Sequence, residues 1–243
     1  MIMTTKWISS IVTTIWNDWL NLFFPQLCIT CNELLVHGEK HVCCRCLSEL
    51  PICSDAISRF HEVAPQIETL YYPILSHCHA WLSYKKGGHV QRIIYAIKYY
   101  DNKALGEQMG IMAGEWLMTT QPDLCRSIDQ IVPIPLHPKK FRQRGYNQAE
   151  EIARGIAKVL CRPVINDAII RNRHINSQTR KEHYERHESI KDSFSLKKSH
   201  LLIGRHILLI DDVITSGATL SQCLEALKNI PNIRIDAFAL SAP

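Results

Sequence analysis

The sequence predicts an α/β protein with a mostly parallel sheet and flanking helices, preceded by a small cysteine-rich head. From Ile128 onward, short apolar segments alternate with segments of helical periodicity, which is the pattern of βαβ units. Six of the 10 cysteines fall between Cys28 and Cys53, in a turn-rich stretch unlike the rest of the chain. A chain of 243 residues is long enough for one sizeable domain plus an appendage.

The periodicity of apolar residues and the positions of Pro and Gly predict the strands and helices along the chain. Short β-branched runs bounded by Pro or Gly indicate strands, and apolar residues at intervals of three and four indicate helices. The predicted strands are residues 79–88 (ending in a Gly-Gly turn), 128–135, 163–171, 206–211 and 233–240. The predicted helices are residues 89–100, 104–120, 147–160 and 218–229. Residues 56–75 lack a clear period and are interpreted as a connector.

The first 24 residues have the pattern of an amphipathic helix. The apolar positions recur at helical spacing and are Ile8, Ile11, Val12, Ile15, Trp16, Trp19 and Phe23. Asn17, Asp18 and Asn21 interrupt any continuous apolar run, so we expect no transmembrane segment and no secretory signal. The favoured interpretation is a helix docked on its own protein, and the alternative is peripheral membrane contact by residues 7–24. We expect a cytoplasmic location, where paired cysteines usually bind metal.

Two Cys-x-x-Cys pairs predict a zinc ribbon over residues 25–55. Cys28-x-x-Cys31 and Cys43-x-x-Cys46 are separated by eleven residues, and four such thiolates suit a closed tetrahedral Zn²⁺ site. A cysteine-rich head this short can form little hydrophobic core, and a bound metal would therefore supply much of its stability. Cys44 competes with Cys43 as a ligand, and the spacing favours Cys43. Disulfides or free thiols are the alternative.

The stretch "HILLIDDVITSGATL" predicts a site for a phosphorylated sugar. Asp211 and Asp212 end an apolar strand, and the loop beyond them carries hydroxyl side chains and Gly217 just before a helix. Backbone N–H groups at such a position cradle an anion. The spacing of a nucleotide P-loop is absent. Carboxylates beside a phosphate cradle repel polyphosphate unless they face hydroxyls or a metal, so a ribose bearing a 5′-phosphate fits best.

The same stretch resembles the 5-phosphoribosyl 1-diphosphate (PRPP) motif of type I phosphoribosyltransferases. "DQIVPIPLHPKKFRQRGYNQAEEIA", "YKKGGHVQRIIYAIKYYDNKALG", "NSQTRKEHYERHESIKDSF" and the cysteine-rich head are similar to segments of the ComF family. Members of that family are zinc-ribbon phosphoribosyltransferase homologues associated with bacterial DNA uptake. The resemblance extends from Pro25 to Pro243. It implies a type I phosphoribosyltransferase-like domain at residues 76–243, after the helix, ribbon and connector.

The resemblance assigns roles to residues of the PRPP motif. Asp211 and Asp212 would hold the ribose hydroxyls. The 5′-phosphate would be wrapped by Thr215, Ser216, Gly217, Ala218 and Thr219. The pyrophosphate side would consist of the strand end Pro133–Pro135 with Lys140, Arg144, Gly145 and Tyr146.

The basic stretch before residue 147 supports the pyrophosphate assignment independently. Lys139, Lys140, Arg142 and Arg144 place four cations in six residues, ahead of a predicted helix that Asn147 and Glu150 would cap. Such donors stabilise a leaving pyrophosphate. The alternative interpretation is a solvated basic surface loop.

Residues 171–194 have no apolar period and are rich in Arg, Lys and His, as mobile active-site loops often are. The resemblance places Gln178, Thr179 and Arg186 at loop positions of the family, whereas Asn176 and Glu188 depart from its usual pattern. A metal site formed by the loop histidines is disfavoured, since nothing fixes them on one face.

These observations predict a pentosyl transfer in which a nitrogen nucleophile displaces pyrophosphate from C1 of PRPP. Mg²⁺ would bridge pyrophosphate and ribose oxygens. No sequence feature identifies the nitrogen acceptor. The competing hypothesis is a non-enzymatic sensor of PRPP or nucleotide, or an accessory protein that contacts single-stranded DNA or DNA-uptake proteins through the basic stretch and the ribbon. The mild formal charge of +5 favours DNA binding only weakly.

Overall fold

The computed structural model describes residues 25–53, 65–172 and 193–243. The predicted amino-terminal helix and the loop positions Gln178, Thr179 and Arg186 lie outside these ranges. The chain divides into two compact units, Met1–Leu50 and Pro51–Pro243, and each is described by itself. No helix within the described ranges has the length and apolarity needed to cross a bilayer.

The described part of the first unit is built from tight turns rather than from a hydrophobic core. An antiparallel bridge joins Leu27 and Leu34, and the N–H of Cys28 donates to the carbonyl of Glu33 at 2.8 Å. A short helix, α1, spans Cys44–Ser48 and is capped by Cys43, whose sulfur accepts from the N–H of Cys46. These turns bring the two cysteine pairs together.

The second unit contains a four-stranded parallel sheet in the order β1-β6-β5-β2. Its strands are β1 (Leu75–Ser83), β2 (Gln130–Pro133), β5 (His206–Val213) and β6 (Arg234–Ala242). A separate antiparallel hairpin pairs β3 (Ile169–Arg171) with β4 (Phe194–Leu196). The parallel sheet with flanking helices confirms the predicted fold class. β5 lies in the sheet interior and is buried from His206 to Ile210.

The helices of the second unit largely follow the predicted ones. They are α2 (Pro65–Leu70), α3 (His89–Tyr99), α4 (Lys103–Thr120), α5 (Pro122–Ser127), α6 (Pro138–Arg144), α7 (Gln148–Leu160) and α8 (Ala218–Leu227). Helix α2 and the first residue of β1 lie within the segment interpreted as a connector. The basic stretch, expected to be a loop, is helix α6, because Pro138 occupies its first turn and the His137 side chain caps it.

The predicted strand at 163–171 is only partly realised. Val164 forms an isolated parallel bridge with Ile131, and regular strand begins only at Ile169. Asn166 and Asp167 lie in a turn between the two, as these residue types favour. The turn takes β3 out of the main sheet and into the hairpin with β4.

Glycines let helices α4 and α7 approach each other closely. A Cβ added to Gly155 would lie 2.2 Å from the carbonyl oxygen of Glu107, and one on Gly110 would lie 2.2 Å from that of Ile152. Real Cβ atoms do not approach backbone so closely. The helices can therefore pack at this distance only without these side chains.

We expect Gly155→Ala to lower the free energy of unfolding by about 1–3 kcal/mol, because the added methyl group forces two packed helices apart. Urea denaturation followed by circular dichroism measures this. Gly106→Ala is the control, since its Cβ would first meet the Cβ of Glu151 at 3.0 Å and should have a smaller effect. An unchanged denaturation midpoint for Gly155→Ala would contradict the close packing of α4 against α7.

Candidate functional site

A cleft of about 520 Å³ lies at the carboxyl edge of the parallel sheet, beyond the ends of β2 and β5. Its lining includes Lys98, Lys140, Arg144, Arg171, Asp211, Asp212 and Thr219. A second cleft of about 250 Å³ is lined by residues 213–220 together with Asp211. The two share Asp211, Val213 and Thr219, so they form one continuous site. Ligands of open parallel sheets generally bind at this edge.

The two adjacent carboxylates have different surroundings. Asp212 forms an ion pair with Lys98, with 2.8 Å between Oδ2 and Nζ, and its Oδ1 accepts from the N–H of Val213 at 2.8 Å. Asp211 accepts from the N–H of Asp212 at 2.8 Å. Lys98, on α3, thus balances the charge of Asp212 more directly than that of Asp211.

Burial, followed by the neighbouring charge of Asp212, raises the pKa of Asp211 to about 8. The free site therefore holds a proton near neutral pH. A ribose diol donates hydrogen bonds to carboxylates, and such bonds favour the ionised form. Binding of a sugar here would expel that proton.

We expect the affinity for Mg²⁺-bound PRPP to increase as the pH rises from about 6.5 to 8.5, and to level off above the raised pKa of Asp211. Calorimetry in buffers of different ionisation enthalpy measures the protons released. Asp211→Asn is the control. It removes the proton that Asp211 would release on binding, and it leaves proton release by the titrating phosphates of PRPP unchanged. Equal proton release by the variant and the unaltered chain would contradict the expectation.

The loop after β5 has the geometry of an anion cradle. Gly217 adopts φ +70°, a left-handed conformation that favours glycine, and it caps the amino-terminal end of α8. Thr215 and Ser216 are exposed beside it, and Thr219 borders both clefts. The loop and the first turn of α8 therefore present hydroxyls and N–H groups near the two carboxylates.

The basic wall is formed by α6 and the start of α7. Lys140 and Arg144 line the cleft, and Arg144 donates to Oε1 of Gln148 at 2.8 Å while its guanidinium lies 5.2 Å from the centroid of the Tyr99 ring. These contacts fix the Arg144 side chain. A fixed cation close to paired carboxylates suits a ligand with separate anionic and hydroxyl groups.

Two residues of the predicted pyrophosphate side support this wall rather than line it. Gly145 ends α6 with φ +78°. Tyr146 is buried and its hydroxyl donates to the carbonyl of Ile97, and burial raises its pKa to about 12. Tyr146 therefore anchors the start of α7 to α3.

Asn147 caps α7 by position but not through its side chain, which corrects the predicted capping box. Its Nδ2 donates to the carbonyl of Ile134 at 3.0 Å, and its side chain accepts no bond from the helix. The Glu150 side chain instead accepts from Arg154 and Asn166. Asn147 therefore ties the helix to the end of β2, next to the cleft.

Sequence reasoning missed two cations of the site, Lys98 and Arg171. Arg171, at the end of β3, stacks on the Phe194 ring at 5.0 Å, and its buried Nε has no hydrogen-bond partner among the described residues. Burial lowers its pKa, and the nearby charge of Asp211 opposes that shift. The available signal was the position of Arg171 as the last residue of a predicted strand.

The four cysteines of the first unit converge, and their sulfurs lie within 4.8 Å of one another. Sγ of Cys31 and Sγ of Cys43 are 3.8 Å apart, which matches the edge of a tetrahedron with Zn–S bonds of about 2.3 Å. Burial would raise the pKa of Cys28, but hydrogen bonds from Thr30 and from backbone N–H groups, including that of Cys43, lower it to about 6. This donor set fits Zn²⁺, whereas Cys44 is exposed and outside the cluster.

Comparisons with known proteins find one matching domain family and several similar chains. Residues 144–236 match the phosphoribosyl transferase domain family. The chain is 25% identical over 238 residues to Competence protein F of Haemophilus influenzae, covering 90% of this chain and 98% of that protein. It is 36% identical over 97 residues to Competence protein ComFC of Bacillus subtilis, covering 39% and 37% of the two chains. The solved glutamine PRPP amidotransferase from B. subtilis aligns with a TM-score of 0.43 at 14% identity, over 62% of this chain and 31% of that one.

Proposed function

Because this chain is a ComF-type protein with a phosphoribosyltransferase-like domain, we propose that it binds PRPP with Mg²⁺ and transfers the phosphoribosyl group to a nitrogen acceptor. The observation that carries the proposal is the continuity of the two clefts. Paired carboxylates stand beside a hydroxyl-rich loop, and both clefts include Asp211 and Thr219. This arrangement accommodates a sugar that carries a diol and a phosphate.

Each part of PRPP has a counterpart in the site. Asp211 and Asp212 accept hydrogen bonds from the ribose hydroxyls. The 5′-phosphate is bound by the loop Thr215, Ser216, Gly217, Ala218 and Thr219, where the start of α8 contributes N–H groups. Lys140 and Arg144 face the pyrophosphate, and Lys98 holds the Asp212 side chain in place through their ion pair.

The proposed reaction is a displacement at C1 of the ribose. The acceptor nitrogen forms a bond to C1 and gives up a proton, while the bond from C1 to the pyrophosphate oxygen breaks. Mg²⁺, which would arrive with PRPP, would neutralise charge on the leaving pyrophosphate. Lys140 and Arg144 stabilise the charge that develops on it. We also propose that Gln178, Thr179 and Arg186, which lie outside the described residues, contribute to PRPP binding.

We further propose that residues 25–55 form a zinc ribbon with ligands Cys28, Cys31, Cys43 and Cys46. Zn²⁺ would stabilise this unit without taking part in the reaction, because four protein ligands leave no open coordination position. We also propose a cytoplasmic location, because paired cysteines in a reducing compartment usually bind metal.

Calorimetry of the full chain with PRPP and Mg²⁺ tests the binding proposal. We expect one saturable site, and no such binding with ribose lacking the phosphates. The same sample is then screened for pyrophosphate release with a panel of purine, pyrimidine and amine acceptors. Turnover with any acceptor supports transfer, whereas tight binding without turnover across the panel would favour a PRPP sensor. Absence of binding would reject both.

The exposed cations of α6 favour DNA contact as a second candidate function. Lys139 and Arg142 are exposed and, unlike Lys140 and Arg144, do not line the cleft. The names of the relatives associate those proteins with competence. A helix whose outer side is cationic can bind a single strand through its phosphates.

We expect Lys139→Ala with Arg142→Ala to weaken single-stranded DNA binding and flatten its salt dependence, because fewer counterions are released. PRPP binding should be unchanged. Lys140→Ala with Arg144→Ala is the matched comparison and should weaken PRPP binding as well. Fluorescence anisotropy across a range of salt concentrations measures both variants. Equal DNA affinity in the first variant and the unaltered chain would remove α6 from this candidate function.

A further inference from the structure

A second cluster of metal-ligating side chains lies in the amino-terminal halves of the sheet strands, at the end of the sheet away from the cleft. His77 and His79 come from β1, Asp236 from the neighbouring β6, and His206 from β5. His79, Asp236 and His206 are at most 6% exposed, whereas the His77 side chain is 56% exposed. A buried carboxylate surrounded by three imidazoles has no role in the proposed transfer.

The distances in this cluster distinguish two long contacts of Asp236 from one ordinary hydrogen bond. Oδ1 of Asp236 is 3.4 Å from Nδ1 of His77 and 3.3 Å from Nε2 of His79. Both distances are long for a hydrogen bond, but they match the edge of a tetrahedron with metal–ligand bonds of about 2.0 Å. Oδ2 of Asp236 is 2.7 Å from Nε2 of His206, which is an ordinary hydrogen bond.

We propose that His77, His79 and Asp236 form a second metal site, and that His206 positions the carboxylate. The three ligand atoms lie within 4.8 Å of one another. His206 holds the outer oxygen of Asp236, as carboxylates that bind metals are commonly held by a second hydrogen-bonded residue. The exposed His77 provides a path for the ion and leaves the fourth position facing solvent.

The ligand types identify the class of ion. Two imidazoles and one carboxylate suit Zn²⁺ and related divalent transition metals such as Co²⁺. They do not suit Mg²⁺, which prefers oxygen ligands. The site is therefore distinct from the Mg²⁺ that accompanies PRPP, and from the cysteine cluster with its four thiolates. An ion here would link β1 to β6 directly, and β5 would be joined to the site through the hydrogen bond between His206 and Asp236.

Titration of the metal-stripped full chain with Co²⁺ tests the proposal. We expect two equivalents to bind, of which only the cysteine site gives strong thiolate charge-transfer absorption. His77→Ala should lower the affinity for the Co²⁺ ion that gives no charge-transfer absorption by about 100-fold. The affinity for the Co²⁺ ion bound by the cysteines should be unchanged. The exposed His77 can be removed without opening the core. His200→Ala, an exposed histidine outside the cluster, is the control.

The ribbon variant Cys28→Ser gives the reciprocal result, since it should lose the charge-transfer band and retain the second equivalent. Binding of a single equivalent that gives the thiolate charge-transfer band would overturn the proposal, and the cluster would then be a buried hydrogen-bonded network without a metal. Two equivalents of unchanged affinity in both His77→Ala and His79→Ala would also overturn it. Neither result bears on the binding of PRPP.

Discussion

Replacing both Asp211 and Asp212 with asparagine is expected to weaken binding of Mg²⁺-bound PRPP by a factor on the order of 10² to 10⁴. Each carboxylate is proposed to accept a hydrogen bond from a ribose hydroxyl, and bonds to charged groups contribute about 1.5–3 kcal/mol each. Two such bonds give about 3–6 kcal/mol. The asparagine pair keeps the shape of the site and removes its negative charge.

Calorimetry with PRPP and Mg²⁺ measures the affinity of the double variant. Asp123→Asn is the matched control, because Asp123 is an exposed acid outside the cleft. The two single variants should differ, since Asp212→Asn also leaves Lys98 without its ion-pair partner. An affinity of the double variant within about threefold of the unaltered chain would reject the role of these carboxylates.

The features that could be predicted from the sequence are those carried by one continuous segment. Asp211, Asp212 and the loop through Thr219 follow one another along the chain, so a strand, a turn and a helix start are enough to bring them together. The alternation of strands and helices likewise predicted the parallel sheet, which the structure confirms. Both features are determined by the order of residues along the chain rather than by contacts between distant segments.

The parts that could not be predicted depend on contacts between distant segments. Lys98 meets Asp212 only because α3 packs beside the end of β5, and nothing near residue 98 indicates an acidic partner. Arg171 enters the cleft because a turn takes β3 out of the sheet. The position of Arg171 at the end of a predicted strand was the one available signal, and no sequence pattern indicates the pairing of Lys98 with Asp212.

The histidine cluster also depends on contacts between distant segments and could not be predicted from the sequence. His77 and Asp236 are far apart in the chain and become neighbours through the register of β1 against β6. That register follows from burial of the whole sheet rather than from any local signal. The resemblance assigned Tyr146 to the pyrophosphate side, and its hydroxyl donates to a carbonyl of α3, a contact between distant segments that no local pattern indicates.

Removing one cysteine ligand is expected to unfold residues 25–50 while the unit that begins at Pro51 stays folded. Few apolar side chains are buried among the described residues of the first unit, 25–50, so we expect the stability of this segment to depend on the metal. Structural Zn²⁺ contributes about 10–16 kcal/mol in zinc-finger peptides. We therefore expect Cys28→Ser to lose its Zn²⁺ and to become sensitive to trypsin at Lys40 and Arg45. Metal analysis and mass spectrometry of the digest measure the two effects.

Cys44→Ser is a demanding control because Cys44 is adjacent to a proposed ligand. Its thiol is exposed and lies outside the cluster of four sulfurs, so this variant should keep one Zn²⁺ in the ribbon and resist the protease. Cys43→Ser should behave like Cys28→Ser, since Sγ of Cys43 lies 3.8 Å from that of Cys31. Loss of zinc from Cys44→Ser but not from Cys43→Ser would show that the chain uses the other of two adjacent thiols. Full zinc content in all three variants would mean that the unit is not held by a four-cysteine site.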